Sequence, residues 1–134
     1  MNYAWDITIP AGTTETNPKE QTLKLTKGVI TKIELKYPAG CHGMVKVKLL
    51  RYEHQLVPVN PVDWVTGDDE AVTFPEYYEL KATPYQLKFL GCSPGTDYPH
   101  TISVRISVLE KEIASIMPLV ELLTKLLKRL GVIR

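Results

Sequence analysis

Apolar and polar residues alternate along most of the chain. In "YAWDITI", Tyr3, Trp5, Ile7 and Ile9 fall on one side and Ala4, Asp6 and Thr8 on the other, the period of a half-buried strand. The polar run "PAGTTETNPKEQ" reads as a long loop. "TLKLT" is a short strand, and Lys27-Gly28 marks a turn. "VITKIELKY" is a longer strand with Val29, Ile33, Leu35 and Tyr37 on one face. After Pro38-Ala39-Gly40, "MVKVKLLRY" places Val45, Val47 and Leu49 inward. The middle of the chain, about 53–70, carries Pro58 and Pro61, which suit an edge strand or a loop because proline cannot donate to a central ladder. "AVTF" before Pro75 and "YYELKA" before Pro84 read as two short strands. "YQLKFLG" alternates again, and "TISVRISVL" is the clearest strand, with Ile102, Val104, Ile106 and Val108 inward.

After Leu109 the period changes. Ile113, Ile116, Leu119, Leu122, Leu123, Leu126, Leu127 and Leu130 recur at threes and fours, with Glu121, Thr124, Lys125 and Lys128 opposite. That is an amphipathic helix with an apolar arc of roughly 160°. Pro118 suits its first turn, Ser115 is a candidate cap, and Gly131 is placed to end it behind Lys128 and Arg129.

About eight short strands without βα alternation predict an all-β fold: a two-sheet antiparallel β-sandwich, jelly-roll-like, over 1–110, with a C-terminal amphipathic α-helix in 111–134. A closed barrel is the alternative. A sandwich fills its interior with its own strands, so the helix must bury its leucines elsewhere. Three destinations are open: an edge or end of its own sandwich, other subunits or a larger partner, or a membrane surface.

Composition changes this picture little. The 134 residues are 44% hydrophobic and 23% charged with a net charge of +1, which gives no footing for nucleic-acid binding. The charge is uneven. Residues 1–110 hold 11 basic and 13 acidic side chains, and 111–134 hold 5 and 2. No segment approaches a membrane span, and no basic region leads into an apolar run at the N-terminus. Neither export by a signal segment nor a membrane span is therefore expected, which leaves a cytoplasmic location open.

Candidate chemistry is sparse. Cys41 and Cys92 read as two buried thiols, with a disulfide as the alternative. The carboxylates of "TGDDE", Thr66–Glu70, decorate a turn or hold a cation. His42, His54 and His100 lack metal-pair spacing. Cys41 and His42, as strand neighbours, point to opposite faces and so make a poor nucleophile–base pair. With no catalytic or nucleotide motif, neither an enzyme nor a cofactor is expected. Trp64, Tyr77 and Tyr78 stand near turns, where exposed rings stack on sugars or form protein hot spots.

The run "IPAGTTETNP…LKLTKGVITKIELKYPAGCHGMVKVKLL…DDEAVTFPEYYEL…YPHTISVRISVL" resembles small β-sandwich structural proteins of phage and virus particles. The resemblance covers 7–109 and leaves out the helix. It implies a decoration, vertex or fibre-like component that assembles, as trimers or pentamers, and so a virion location in place of a cytoplasmic one. The expectation is a non-enzymatic, self-associating structural protein, a trimer favoured, with the helix leucines at the interface. The alternative is a carbohydrate-binding or adhesion sandwich using Trp64, Tyr77 and Tyr78.

Overall fold

The structure is a computed structural model; it describes residues 1–60 and 62–131, apart from the side chains of 112–117. Pro61 lies outside the described residues. Among the described residues nine strands and one helix follow in order: β1 Asn2–Ile9, β2 Lys19–Lys24, β3 Gly28–Tyr37, β4 Lys46–Arg51, β5 His54–Val57, β6 Val65–Thr66, β7 Glu70–Leu80, β8 Gln86–Cys92, β9 His100–Leu109 and α1 Lys111–Arg129. They form two antiparallel sheets, β1-β9-β3-β7 and β2-β8-β4-β5, with β6 also pairing β4. In each sheet an early strand is separated from the next early one by a late strand. That interleaving is the order of a jelly roll, and it makes the sandwich the fold rather than a barrel.

The alternation dictates the core. Ile7, Ile9, Ile33, Leu35, Val47, Leu49, Leu87, Phe89, Ile102 and Val104 are all buried between the sheets, each worth roughly 1.5–3 kcal/mol of transfer free energy. Tyr37 belongs to this core yet reaches β6, where its hydroxyl donates to the Val65 carbonyl at 2.6 Å. Burial, with Cys41 and Glu70 nearby, pushes its ionisation far above the ordinary phenol range.

Three sequence expectations are corrected. The polar run Pro10–Gln21 is not all loop, since β2 begins at Lys19. As an edge strand against β8 it buries only one side, and its outward residues are polar. "AVTF" and "YYELKA" form one strand, β7, running straight through Pro75. Proline is tolerated there because β7 is an edge strand and a bulge follows directly: Glu76 and Tyr77 together stand opposite the single Thr31. The helix begins not near Ser115 but at Lys111, with Glu110 as its N-cap, so Pro118 lies inside it at the cost of one backbone bond. Gly131 does end it, with a left-handed φ of +75° and its N–H donated to the Lys128 carbonyl.

Candidate functional site

One end of the sandwich gathers the start of β3, the end of β7, the β4–β5 hairpin and the end of β9. From it the helix emerges with no loop. Glu110 alone, still extended at φ −60°, ψ 143°, separates β9 from α1. Lys111 Nζ pairs with Glu79 Oε1 at 3.2 Å and ties the first turn to β7. The helix otherwise touches the sandwich chiefly at β3.

Its apolar face lies open. Leu119 is 65% exposed, Leu122 65%, Leu123 54%, Leu126 49% and Leu130 67%; Leu127 is half-buried. Val120, also exposed, widens the face. The side chains of Ile113 and Ile116 lie outside the described residues. Leu119, Leu123, Leu126 and Leu130 follow a 4-3-4 spacing, the seam of helices that pack on one another. Leu122 flanks the seam on one side and Leu127 and Val120 on the other.

Beside the helix root is an open cleft of about 730 Å³ between the β4–β5 hairpin and the end of β7. Tyr52, His54, Tyr77 and Tyr78 line it, with Glu53, Glu79 and Lys81 around them. His54 stacks on Tyr78 with ring centroids 6.1 Å apart. Beneath them Arg51 is buried. Its guanidinium donates to the Pro84 carbonyl at 2.7 Å and the Ala82 carbonyl at 2.8 Å, and its Cζ lies 4.7 Å from the Tyr52 ring. One cation thus fixes the β7–β8 loop and backs the hairpin tip. Tyr52 is at the first position of the two-residue turn joining Arg51 to His54 and has a φ of +55°.

The three aromatics singled out from sequence do not converge. Tyr77 and Tyr78 are in the cleft; Trp64 is half-buried elsewhere, with Lys48 Nζ 4.1 Å above its ring. Tyr52, His54 and Arg51 were missed because "MVKVKLLRY" reads as an unbroken strand. A hairpin usually announces itself with Asn-Gly or Asp-Gly, and Tyr52-Glu53 has neither.

The opposite end carries the carboxylates of "TGDDE" and the Cys41-His42 pair. Gly40 N–H donates to Asp68 Oδ1 at 3.1 Å. The N–H groups of His42, first in effect, and of Gly40 and Cys41 hold Asp68 below the usual carboxylate range, against some desolvation; the His42 imidazole, 3.7 Å away, acts in the same sense. Asp68 is thus a loop lock, accepting from the Gly40–His42 backbone. Cys41 and Cys92 are free and buried, and burial pushes both thiols up, which disfavours the thiolate. Buried His100 sets its Nε2 3.3 Å from the Gly40 carbonyl and stacks at a tilt on Tyr98.

No protein-family model matches the chain, and no curated protein matches it. Among solved structures, the crystal structure of Yersinia pseudotuberculosis-derived mitogen (YPM) aligns with a TM-score of 0.40 and 13% identity, covering 83% of this chain and 88% of that one. No helix among the described residues is long and apolar enough to cross a membrane.

Proposed function

We propose that this is a non-enzymatic structural module that self-associates through α1, with three or more copies meeting along the leucine seam. The observation that carries the proposal is the exposure of Leu119, Leu122, Leu123, Leu126 and Leu130 on a helix rooted at one end of an already complete sandwich. Burying what remains exposed of these side chains is worth on the order of 5–10 kcal/mol per helix. That is the scale of the entropy lost on association. Copies of the same chain are the natural occupants, because the 4-3-4 seam is self-complementary. Its apolar flanks on both sides suit a helix with two neighbours rather than one.

Within this reading the finer proposal is a component of a phage or virus particle. Its supports are the resemblance over 7–109 and the jelly-roll order, an architecture that capsid proteins share with lectins. The buried thiol of Cys41, with its raised pKa, supports the non-enzymatic reading by disfavouring a nucleophile there.

Solution mass tests the proposal. The full chain should sediment as an oligomer, a trimer first among the expected states. Leu123→Glu combined with Leu126→Glu should sediment as a monomer with an unchanged β-sheet spectrum. A monomeric full chain at the concentrations used for structural work, or an oligomer indifferent to both charges, would overturn it.

A further inference from the structure

We propose that the cleft between the β4–β5 hairpin and the end of β7 is a carbohydrate site, taking the face of a neutral pyranose. This deepens the sugar-binding alternative but drops Trp64 and joins Tyr77 and Tyr78 to Tyr52, which the sequence did not single out. It is independent of how the chains assemble.

Three features carry it. The first is the conformation of Tyr52. A two-residue hairpin turn with a positive φ at its first central position ordinarily takes glycine there, and a bulky ring in that region is rare. Strain of this kind persists where surrounding structure over-determines it. Here Arg51 does so, held by two carbonyls and lying against the Tyr52 ring. The ring is 64% exposed, displayed beside the cleft instead of being packed into the core.

The second feature is the bulge after Pro75. It lies in an edge strand, at whose end Tyr77, 60% exposed, and half-buried Tyr78, stacked on His54, both line the cleft. Tyrosine faces suit the C–H faces of a sugar ring, an apolar surface with a polar perimeter.

The third is the charge of the wall. Lys81 and Glu53 carry opposite charges at the rim, Glu79 is already paired with Lys111, and the Arg51 guanidinium is held by two backbone carbonyls beneath the rings. Both hydrogen-bond donors and acceptors therefore border the rings, with no cluster of one sign to select an ion. An uncharged polyol complements that set. A small number of placed polar groups around an otherwise apolar cleft is the usual composition of a ligand site.

The test is binding of the full chain to an array carrying neutral oligosaccharides (maltohexaose, cellohexaose, mannohexaose, xylohexaose and galactose-terminated chains), acidic oligosaccharides and proline-rich peptides. Titration with each responding probe follows. A neutral oligosaccharide should bind, and Tyr52→Gly and Tyr77→Ala should each weaken it about tenfold. Trp64→Ala should leave it unchanged. Glycine is chosen at Tyr52 because it accepts the turn's φ, so loss of binding there is not loss of the fold. The Leu123→Glu, Leu126→Glu chain should keep its affinity for a single-site probe, which separates this proposal from the assembly proposal. Silence across the neutral probes, capture of only acidic sugars or only peptides, or full binding by Tyr52→Gly and Tyr77→Ala would each overturn it.

Discussion

Asp68 shows how a single side chain can look like chemistry and act as architecture. Its carboxylate accepts from the loop backbone around Gly40–His42, which holds its pKa down. A depressed folded-state pKa contributes stability that is present above the ordinary carboxylate range, near 4, and is lost as pH falls through the folded value. Asp68→Asn should therefore be less stable than the natural chain near neutral pH. The gap should narrow as the solution is acidified towards about pH 2, as read by chemical denaturation at a series of pH values. A constant gap would mean that the charge contributes nothing. Residues of this kind were only half legible. The turn at "TGDDE" follows from its composition, but the partner loop lies some 28 positions away in sequence, and no local pattern points there. Tyr52 was illegible for a different reason: its ring faces a cleft because of a backbone conformation that its residue type argues against.

At the scale of elements, the strands with a strict two-residue period were legible nearly to the residue. β9 buries the side chains that alternation assigns to the core, and β3 does so from Ile33 to Tyr37; a register shift between Ile30 and Lys32 breaks the period there, so Ile30 joins the core cluster in place of Val29, which the pattern had put on the face of Ile33. The edges were not. β2 is polar enough to pass for loop, and β7 contains a proline that would end a central strand; an edge tolerates both, and edge status is set by topology. The start of α1 was misread because the helix continues directly from β9 and takes no capping side chain. That junction is crowded. A Cβ on Gly28 would lie 2.5 Å from the Leu109 carbonyl oxygen, a backbone atom with little room to yield, and the Gly28 φ of +156° disfavours other residues too. Gly28→Ala should therefore cost roughly 1–3 kcal/mol, measured by denaturant unfolding, and should disturb amide signals at the root of α1 as well as in β3. Undisturbed signals at Lys111 and Glu110 would refute the idea that this glycine positions the helix.

For the molecule as a whole, the sandwich and the helix divide the burial of apolar surface unequally. The described core is drawn entirely from the strands and their loops, with no residue from α1. A helix of 19 residues with Pro118 inside it is marginal in water by itself. Its helicity should thus depend on protein concentration, by mass action on the associated state. On dilution, the far-ultraviolet helical signal should fall while the near-ultraviolet signal from Trp5 and Trp64 stays constant. If both were independent of concentration, the helix would have to be stable on its own sandwich. Sequence patterns showed that two kinds of structure were present. They could not show that the jelly-roll order brings β9 between β1 and β3, because strand order depends on contacts far apart in the chain.

That central position of β9 governs how the molecule would carry a load. A pull along α1 passes through one residue into a strand hydrogen-bonded on both sides, to β1 and to β3. Drawn against the Pro38–Met44 end, β9 would have to slide past both neighbours, breaking many ladder bonds at once. Drawn against the first residue of β1, which lies at the same end and pairs antiparallel with it, the strands would instead peel apart one bond at a time. Tension between α1 and the Pro38–Met44 end should therefore meet far more resistance than tension between α1 and the start of β1.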